Sequence, residues 1–446
     1  MALSGLGIYK HLPKTNCKEC GFATCLAFAM QLAAKKVSLD ACPHVTREAK
    51  AILESASQPP VKLVTIGTGS DKIEIGNETV MFRHEQKFYH HTAVAVLIED
   101  TTQQSEVEAT LSAVNAMRFE RVGQVIKPNA VCLKNSSKDP QKFKRLVSSV
   151  MSKKAEFVQV LLASPEISAI EAALELCAQA RPLIAGADAG NIDTFIPVAR
   201  RHKLPLAIAA RSLDEASELS EKAKNAGLDE LVLELRQETL AKRIELATFA
   251  RRMALKRNFR PLGFPFLSFT TLDREQELAE AIVYVAKYAG IVVIKNRDRD
   301  VVQALLVARQ DIYTDPQKPV QVESKIYEVG RVSKSSPVLI TTNFSITYFT
   351  VLGEVEASKV PSYIIPCDTE GMSVLTAWAA EKFTAETIAA TLKKHEAEKL
   401  VTHKSVIIPG YVSVLSGKLE DESGWRVQVG PKEASGIPNY LKGWKS

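Results

Sequence analysis

The 446-residue chain has no run of about 18 or more apolar residues, which excludes a helix long enough to span a bilayer core. The opening stretch, MALSGLGIYKHLPKTNC, has no long apolar region of the secretory kind, so a cytoplasmic protein is expected. No dense Lys/Arg run with interleaved aromatics occurs. The 57 basic and 51 acidic residues leave a net charge of only +6, so no nucleic-acid partner is expected. Neither G-x-G-x-x-G nor a Walker pattern is present, which weighs against dinucleotide and nucleoside triphosphate sites. Cysteines are few, seven in all, and Cys132, Cys177 and Cys367 stand alone. In a reducing compartment thiols serve metals rather than disulfides.

The other four cysteines crowd into 26 residues: Cys17, Cys20, Cys25 and Cys42, in the pattern C-x2-C-x4-C-x16-C. Zinc sites usually show two C-x2-C pairs or a mixture of cysteine and histidine. Iron–sulfur sites commonly use three near cysteines and a remote one, and Pro43 after the fourth matches the C-P ending of ferredoxin-type runs. A 4Fe–4S cluster is the first reading. A zinc site, structural thiols, and His44 as a replacement ligand are the alternatives. Gly21 is expected to let the backbone turn and approach the cluster.

Three segments follow from the patterning. Residues 1–57 hold the cysteines, with a helix after Cys25, a break at Asp40–Pro43 and a second helix over Thr46–Ser55. The run Ser57-Gln58-Pro59-Pro60 reads as a linker. Residues 61–319 open with strands expected at Val61–Thr68 and Glu78–Arg83. Eight apolar runs then alternate with amphipathic helices: Ala93–Ile98, Ala130–Leu133, Val158–Leu162, Pro182–Ala185, Leu206–Ala209, Leu231–Leu233, Phe266–Phe269 and Ile291–Ile294. Eight strand–helix units predict a (β/α)8 TIM barrel, with an open doubly wound sheet as the alternative. Residues 324–446 carry strands at Val338–Ile340, Ser362–Ile365, Ser405–Ile408 and Trp425–Val429. They predict a Rossmann-like open parallel α/β sheet. The fold class is therefore α/β in three parts, and Pro316–Glu323 (PQKPVQVE) reads as a hinge between the last two.

In the third segment, polar corners sit where strands give way to helices. They are Ile340-Thr341-Thr342-Asn343-Phe344-Ser345-Ile346-Thr347, Asp368-Thr369-Glu370-Gly371-Met372-Ser373, Pro409-Gly410-Tyr411 and Gly430-Pro431-Lys432-Glu433-Ala434. One corner alone is plain helix capping. Four past the carboxyl ends of one sheet could hold a large, amide-decorated ligand by neutral hydrogen bonds.

With the cysteine spacing and the barrel, the TTNFSITYF and DTEGMSV stretches make the whole chain resemble the large (gamma) subunit of corrinoid iron–sulfur proteins. The resemblance implies that Cys17, Cys20, Cys25 and Cys42 ligate a 4Fe–4S cluster. It implies a corrinoid (cobamide) against Ile340, Thr341, Thr342, Asn343, Ile346, Thr347, Glu370, Gly371, Met372, Ser373, Gly410, Glu433 and Ala434. It also implies a heterodimer with a small barrel subunit. Cob(I)amide would accept a methyl from methyltetrahydrofolate through a separate methyltransferase, and methyl-Co(III) would deliver it to the nickel site of acetyl-CoA synthase/CO dehydrogenase. The cluster, or a reductive activator, would restore Co(I) from Co(II). The chain is then a methyl carrier in the acetyl-CoA pathway rather than a free-standing enzyme.

No D-x-H occurs anywhere, so a base-off corrinoid without a protein histidine ligand is expected. His395 and His403 lack that motif's context, and removal of an axial donor eases cobalt reduction. In the barrel, Glu99, Asp100, Lys134, Asn135, Lys295 and Asn296 fall at strand carboxyl ends but form no recognisable constellation, so the barrel is read as scaffold and docking surface. The rival readings are an iron–sulfur barrel enzyme with its own active site and an electron-transfer adaptor without corrinoid.

Overall fold

Gly76 and Asn77 both take positive φ, and they end the first structured hairpin of the barrel region. The computed structural model describes residues 5–33, 37–46, 49–50, 53 and 59–444. Most of the helix expected over Thr46–Ser55 and the start of the Ser57 linker lie outside them. The chain divides into two compact units, Met1–Phe119 with Ile126–Tyr313, and Glu120–Val125 with Thr314–Ser446. Among the described residues no helix is long and apolar enough to cross a membrane.

In the first unit, helices α1 (Gly5–Tyr9) and α2 (Cys25–Ala33) pack together at the start. The hairpin is β1 (Val64–Ile66) and β2 (Ile73–Ile75), an antiparallel pair. A side chain at Gly76 would strike the Lys62 carbonyl. The second opening strand expected, Glu78–Arg83, does not form. Glu78 instead turns inward as a buried anchor: its carboxylate accepts the Tyr89 N–H at 2.8 Å and the Arg251 guanidinium at 3.4 Å. Arg251 is itself buried against the rings of Phe88 and Tyr288. Removing one partner of a buried ion pair leaves the other uncompensated. Glu78→Ala is therefore expected to cost about 3–5 kcal/mol, read as a lowered denaturation midpoint of the barrel.

The eight runs all form strands: β3 (Ala93–Glu99), then, after the short hairpin β4 (Phe119–Arg121) and β5 (Gln124–Ile126), β6 (Ala130–Lys134), β7 (Gln159–Ala163), β8 (Leu183–Ala187), β9 (Leu206–Ala210), β10 (Leu231–Leu235), β11 (Phe266–Phe269) and β12 (Ala289–Ile294). They close in parallel, in the order β10-β11-β12-β3-β6-β7-β8-β9, so the barrel holds and the open-sheet alternative falls. The strands read as nearly unbroken apolar runs because both faces are buried. Val94, Val96 and Ile98 join the outer core beneath the helices. Ala93 and Ala95 join the interior with Cys132, Leu161 and Val232, and Val64, Ile66, Ile73 and Ile75 of the opening hairpin pack into the same interior cluster.

The connecting helices are α3 (Gln104–Ala116), α4 (Pro140–Lys153), α5 (Ile167–Cys177), α6 (Ile192–His202), α7 (Leu213–Asn225), α8 (Leu240–Arg257), α9 (Glu277–Ala286) and α10 (Arg299–Tyr313). Helix α4 shows why they form. Asp139 caps the N–H groups of Gln141 and Lys142, Pro140 occupies the first turn, and Phe143, Leu146, Val147 and Val150 are buried along one stripe.

The second unit is a five-stranded sheet in the order β13-β15-β14-β16-β17, from β13 (Tyr327–Val329), β14 (Val338–Thr342), β15 (Ser362–Cys367), β16 (Ser405–Ile408) and β17 (Arg426–Val429). Its helices are α11 (Ser345–Ser358), α12 (Val374–Ala379), α13 (Ala385–Lys394), α14 (Ser416–Ser423) and α15 (Ile437–Lys442). The expected Rossmann-like, all-parallel sheet is corrected to a mixed one. Four strands are parallel, but β13 runs antiparallel to β15 at the edge. It precedes β14 directly and needs no crossover helix to reach that edge. Part of the stretch expected as a hinge pairs with the sheet's loop. The Val322 N–H donates to the Asn343 carbonyl and the Ser345 N–H to the Val320 carbonyl, so this stretch is strapped to the end of β14.

Candidate functional site

Two sites emerge, one in each unit. In the first, the loop from His11 to Thr24 is wound tightly: Lys14, Asn16, Lys18 and Gly21 all take positive φ. Non-glycine residues hold that conformation only where their surroundings over-determine it. Gly21 is required by its φ of +82° and not by crowding, since a Cβ there would meet nothing within 4 Å. Asn16 clamps the third cysteine from both sides. Its Oδ1 accepts the Cys25 N–H at 2.8 Å, and its own N–H donates to the Cys25 Sγ at 3.4 Å.

A short helical turn, Leu39–Ala41, capped by Ser38, then presents Cys42. Cys25 and Cys42 are buried, Cys20 half-buried and Cys17 exposed. Burial pushes the Cys42 thiol above its ordinary value. A hydrogen bond from the His44 backbone works against that, and the nearby Cys20, Cys25 and Cys17 add to the rise. Cys25 and Cys42 share one small core, with Cys20 packed against it. His44 pairs with Glu19 at 3.0 Å, and ligand atoms of Cys17, Glu19 and His44 lie within 4.8 Å of one another. The three remaining cysteines are buried singly, and burial pushes each thiol up to about 12.

The second site follows from strand order. From β14 the chain moves to β15 on one side, then crosses to β16 on the other. The gap past the carboxyl ends of β14 and β16 is a topological switch point, where such sheets bind ligands. A cavity of about 260 Å³ lies there. It is lined by Leu339, Ile340 and Thr341 from β14, Ile346, Thr347 and Val351 from α11, Ile407 and Ile408 at the end of β16 with Pro409 after it, Gly430–Lys432 after β17, and Ala434, Ile437 and Tyr440 near the C-terminus. Thr341 and Thr342 are 1% and 0% exposed, and neither hydroxyl has a hydrogen-bond partner. Only Thr341 of the two faces the cavity.

Among the residues expected to touch a ligand, Ile340, Thr341, Ile346, Thr347 and Ala434 line this cavity, and the others do not. Asn343 is a structural knot. Its carbonyl accepts the Thr369 and Gly371 N–H groups and the Thr369 hydroxyl, and its amide donates to Gln321 and Asp368. Glu370 pairs with Lys382, and Ser373 shares a hydrogen bond with Thr376. Gly371 lies against Pro319 and Gln321, Met372 packs on the core of the sheet, and Thr342 is fully buried. Gly410 packs on the backbone of Gly430–Lys432, and Glu433 accepts the Tyr411 hydroxyl. Sequence reasoning missed Val351, Ile437 and Tyr440. Their apolar spacing on α11 and α15 was the available signal, and it is indistinguishable from ordinary core packing.

Neither histidine of this unit lines the cavity. His395 meets the Ser324 hydroxyl, and His403 sits between the Ser336 carbonyl and the Ser405 N–H, beside the Trp444 ring.

Residues 63–441 match the family described as CO dehydrogenase/acetyl-CoA synthase delta subunit, and residues 12–44 match the one described as "Putative Fe-S cluster". That places the chain among CO dehydrogenase/acetyl-CoA synthase proteins. It is 43% identical over 443 residues to a corrinoid/iron-sulfur protein large subunit of Moorella thermoacetica, covering 99% of each chain. It is 33% identical to the acetyl-CoA decarbonylase/synthase complex subunit gamma of Methanothermobacter thermautotrophicus, again covering 99% of each. The gamma subunit of Methanopyrus kandleri is 30% identical, over 99% of this chain and 97% of its own. The full-length similarity includes the cysteine segment, and the chain belongs to the corrinoid/iron–sulfur protein large (gamma) subunit family.

Proposed function

We propose that the chain is a corrinoid-dependent methyl carrier whose N-terminal thiols hold a 4Fe–4S cluster and whose C-terminal cavity grips one part of a cobamide. The observation that carries the second half is the Thr341 hydroxyl, buried without a partner on a cavity at the switch point. A buried polar atom left unpaired costs about 1–3 kcal/mol, and a ligand amide would relieve that cost. For the first half, a tightly wound loop carries Cys17 and Cys20, and Cys25 and Cys42 are buried in the same small core, a set of thiols that fits an all-thiolate cluster.

When bound, the corrinoid supplies a cobalt centre that takes up and hands on a methyl group, and the cluster supplies single electrons that keep that cobalt reduced. The chain's own residues bind, orient and exclude. Leu339, Val351, Ile407 and Ile437 form an apolar wall, Thr341 and Thr347 offer hydroxyls, and the turn at Gly430 brings backbone close. The base-off assignment rests on the lack of any D-x-H motif in the sequence. A cavity of about 260 Å³ encloses only part of a corrinoid, which leaves the rest for a second protein to cover. In this reading that partner is the small subunit. The methyl donor is methyltetrahydrofolate brought by its methyltransferase, the acceptor is the nickel site of acetyl-CoA synthase, and a reductive activator rescues oxidised cobalt. All of this belongs to the cytoplasm of an anaerobic cell.

The chain should be co-expressed with its small subunit and purified without oxygen. Its visible spectrum is expected to show corrinoid bands above a broad iron–sulfur shoulder. A spectrum with the shoulder alone would favour the electron-transfer or barrel-enzyme readings. Nitrogen hyperfine splitting from a histidine on Co(II) would overturn the base-off assignment.

A further inference from the structure

The barrel has its own cavity, about 500 Å³, at the carboxyl ends of its strands, with lining from every strand or its following loop except β9. That is the face on which barrel enzymes build their sites, and the volume falls in the range of small-molecule pockets. Three inward-facing series end there in a charge. On β6 the series is Ala130, Cys132, Lys134; on β10 it is Val232, Glu234; on β12 it is Ile291, Val293, Lys295. Lys134 and Lys295 are exposed at this mouth, whereas Glu234 is buried.

The charges are sorted by position. Lys134 and Lys295 flank β3, which lies between β12 and β6. Lys134 has Glu99 at 3.5 Å, and Lys295 has no ion-pair partner among the described residues. On the other side Glu234 holds Arg236 by two hydrogen bonds, at 2.7 and 3.0 Å.

The loops that present these groups are locked from beneath. The carboxylate of Glu277, 2% exposed, accepts the Lys295 and Asn296 N–H groups at 2.7 and 2.8 Å and the Thr270 hydroxyl at 2.6 Å. Glu280, fully buried, accepts the Thr271 and Leu272 N–H groups. Asn135 donates to Ser164, and Asn191 donates to the carbonyls of Pro165 and Gly186. Buried side chains spent on fixing loop backbones are the support a preorganised site requires.

We propose that the mouth of this barrel binds a small organic oxyanion, a carboxylate or phosphate held between Lys134 and Lys295 with its body over Leu97 and Phe269. The site lies in the first unit and does not depend on the corrinoid reading.

The test is isothermal titration of the anaerobic complex with its partner subunit. Inorganic phosphate and malonate serve as probes, each against sodium chloride of equal ionic strength. Saturable binding of either probe is expected, with malonate preference marking a carboxylate ligand and phosphate preference a phosphorylated one. Lys295→Gln should weaken it about tenfold or more, while Lys359→Gln, an exposed lysine of the other unit, should leave it unchanged. The proposal fails if neither probe saturates, if Lys295→Gln binds as the parent does, or if both variants weaken binding equally.

Discussion

Replacing Cys42 by alanine is expected to strip the N-terminal segment of iron and unfold it while the barrel stays intact. The segment's own core is small: Ile8, Leu12, Phe28, Ala29 and Leu53, with Cys25 and Cys42 themselves. Among the described residues, so few buried side chains cannot offset the ordering of some forty residues. Metal coordination then supplies the folding energy, on the order of 10 kcal/mol for structural thiolate sites. In the proposed cluster Cys42 is the remote ligand, and losing it opens the largest loop of the set. Iron should fall from about four atoms per chain to near zero, and limited proteolysis should cut between residues 11 and 44. Cys132→Ala, inside the barrel, should keep its iron. His44→Ala should keep it too, because His44 is half-exposed and engaged with Glu19. Iron retained in Cys42→Ala but lost in His44→Ala would replace the four-thiolate set with one built on Cys17, Glu19 and His44.

The second large effect has opposite signs in two measurements. Thr341→Val keeps the shape of the side chain and removes a buried hydroxyl that has no partner. The cofactor-free chain should gain about 1–3 kcal/mol of stability. Retention of corrinoid by the complex should fall about tenfold, because the cavity loses its buried, unpartnered hydroxyl. Thr342→Val is the matched control, since its hydroxyl is equally buried and unpaired but does not face the cavity. It should stabilise the chain with no effect on the cofactor. If Thr341→Val behaves as Thr342→Val does, the hydroxyl is only a packing defect and the corrinoid is not held at this cavity.

The barrel was legible because parallel strands buried on both faces must be apolar throughout, and the eight runs came out as β3 and β6 to β12 with ends shifted by a residue or two. The Glu78–Arg83 stretch was misread because its apolar residues suit a strand, whereas the positive φ at Asn77 and the pull of Arg251 on Glu78 are decided by residues far along the chain. The antiparallel β13 was missed for a similar reason. Three residues carry too little pattern to stand out, and only the exposed edge of β15 gives them a partner.

At the candidate sites the division is sharper. Spacing alone brought out the four cysteines, since a cluster needs thiols close together and the chain offers them nowhere else. It also marked the corners at the strand ends, because hydroxyls and amides gather where helices begin. Which of those polar groups faces a cavity and which ties the backbone was settled by tertiary structure. Thr341 and Thr342 are neighbours of one type, yet strand alternation turns them to opposite faces, and Asn343 is used up in holding the Thr369–Gly371 turn. Lys134, Glu234 and Lys295 likewise meet at one mouth only because closure of the barrel makes one face of each strand the inside. Residue chemistry is local and can be read along the chain. The side to which a residue points, and what it meets there, depends on contacts between segments far apart in sequence.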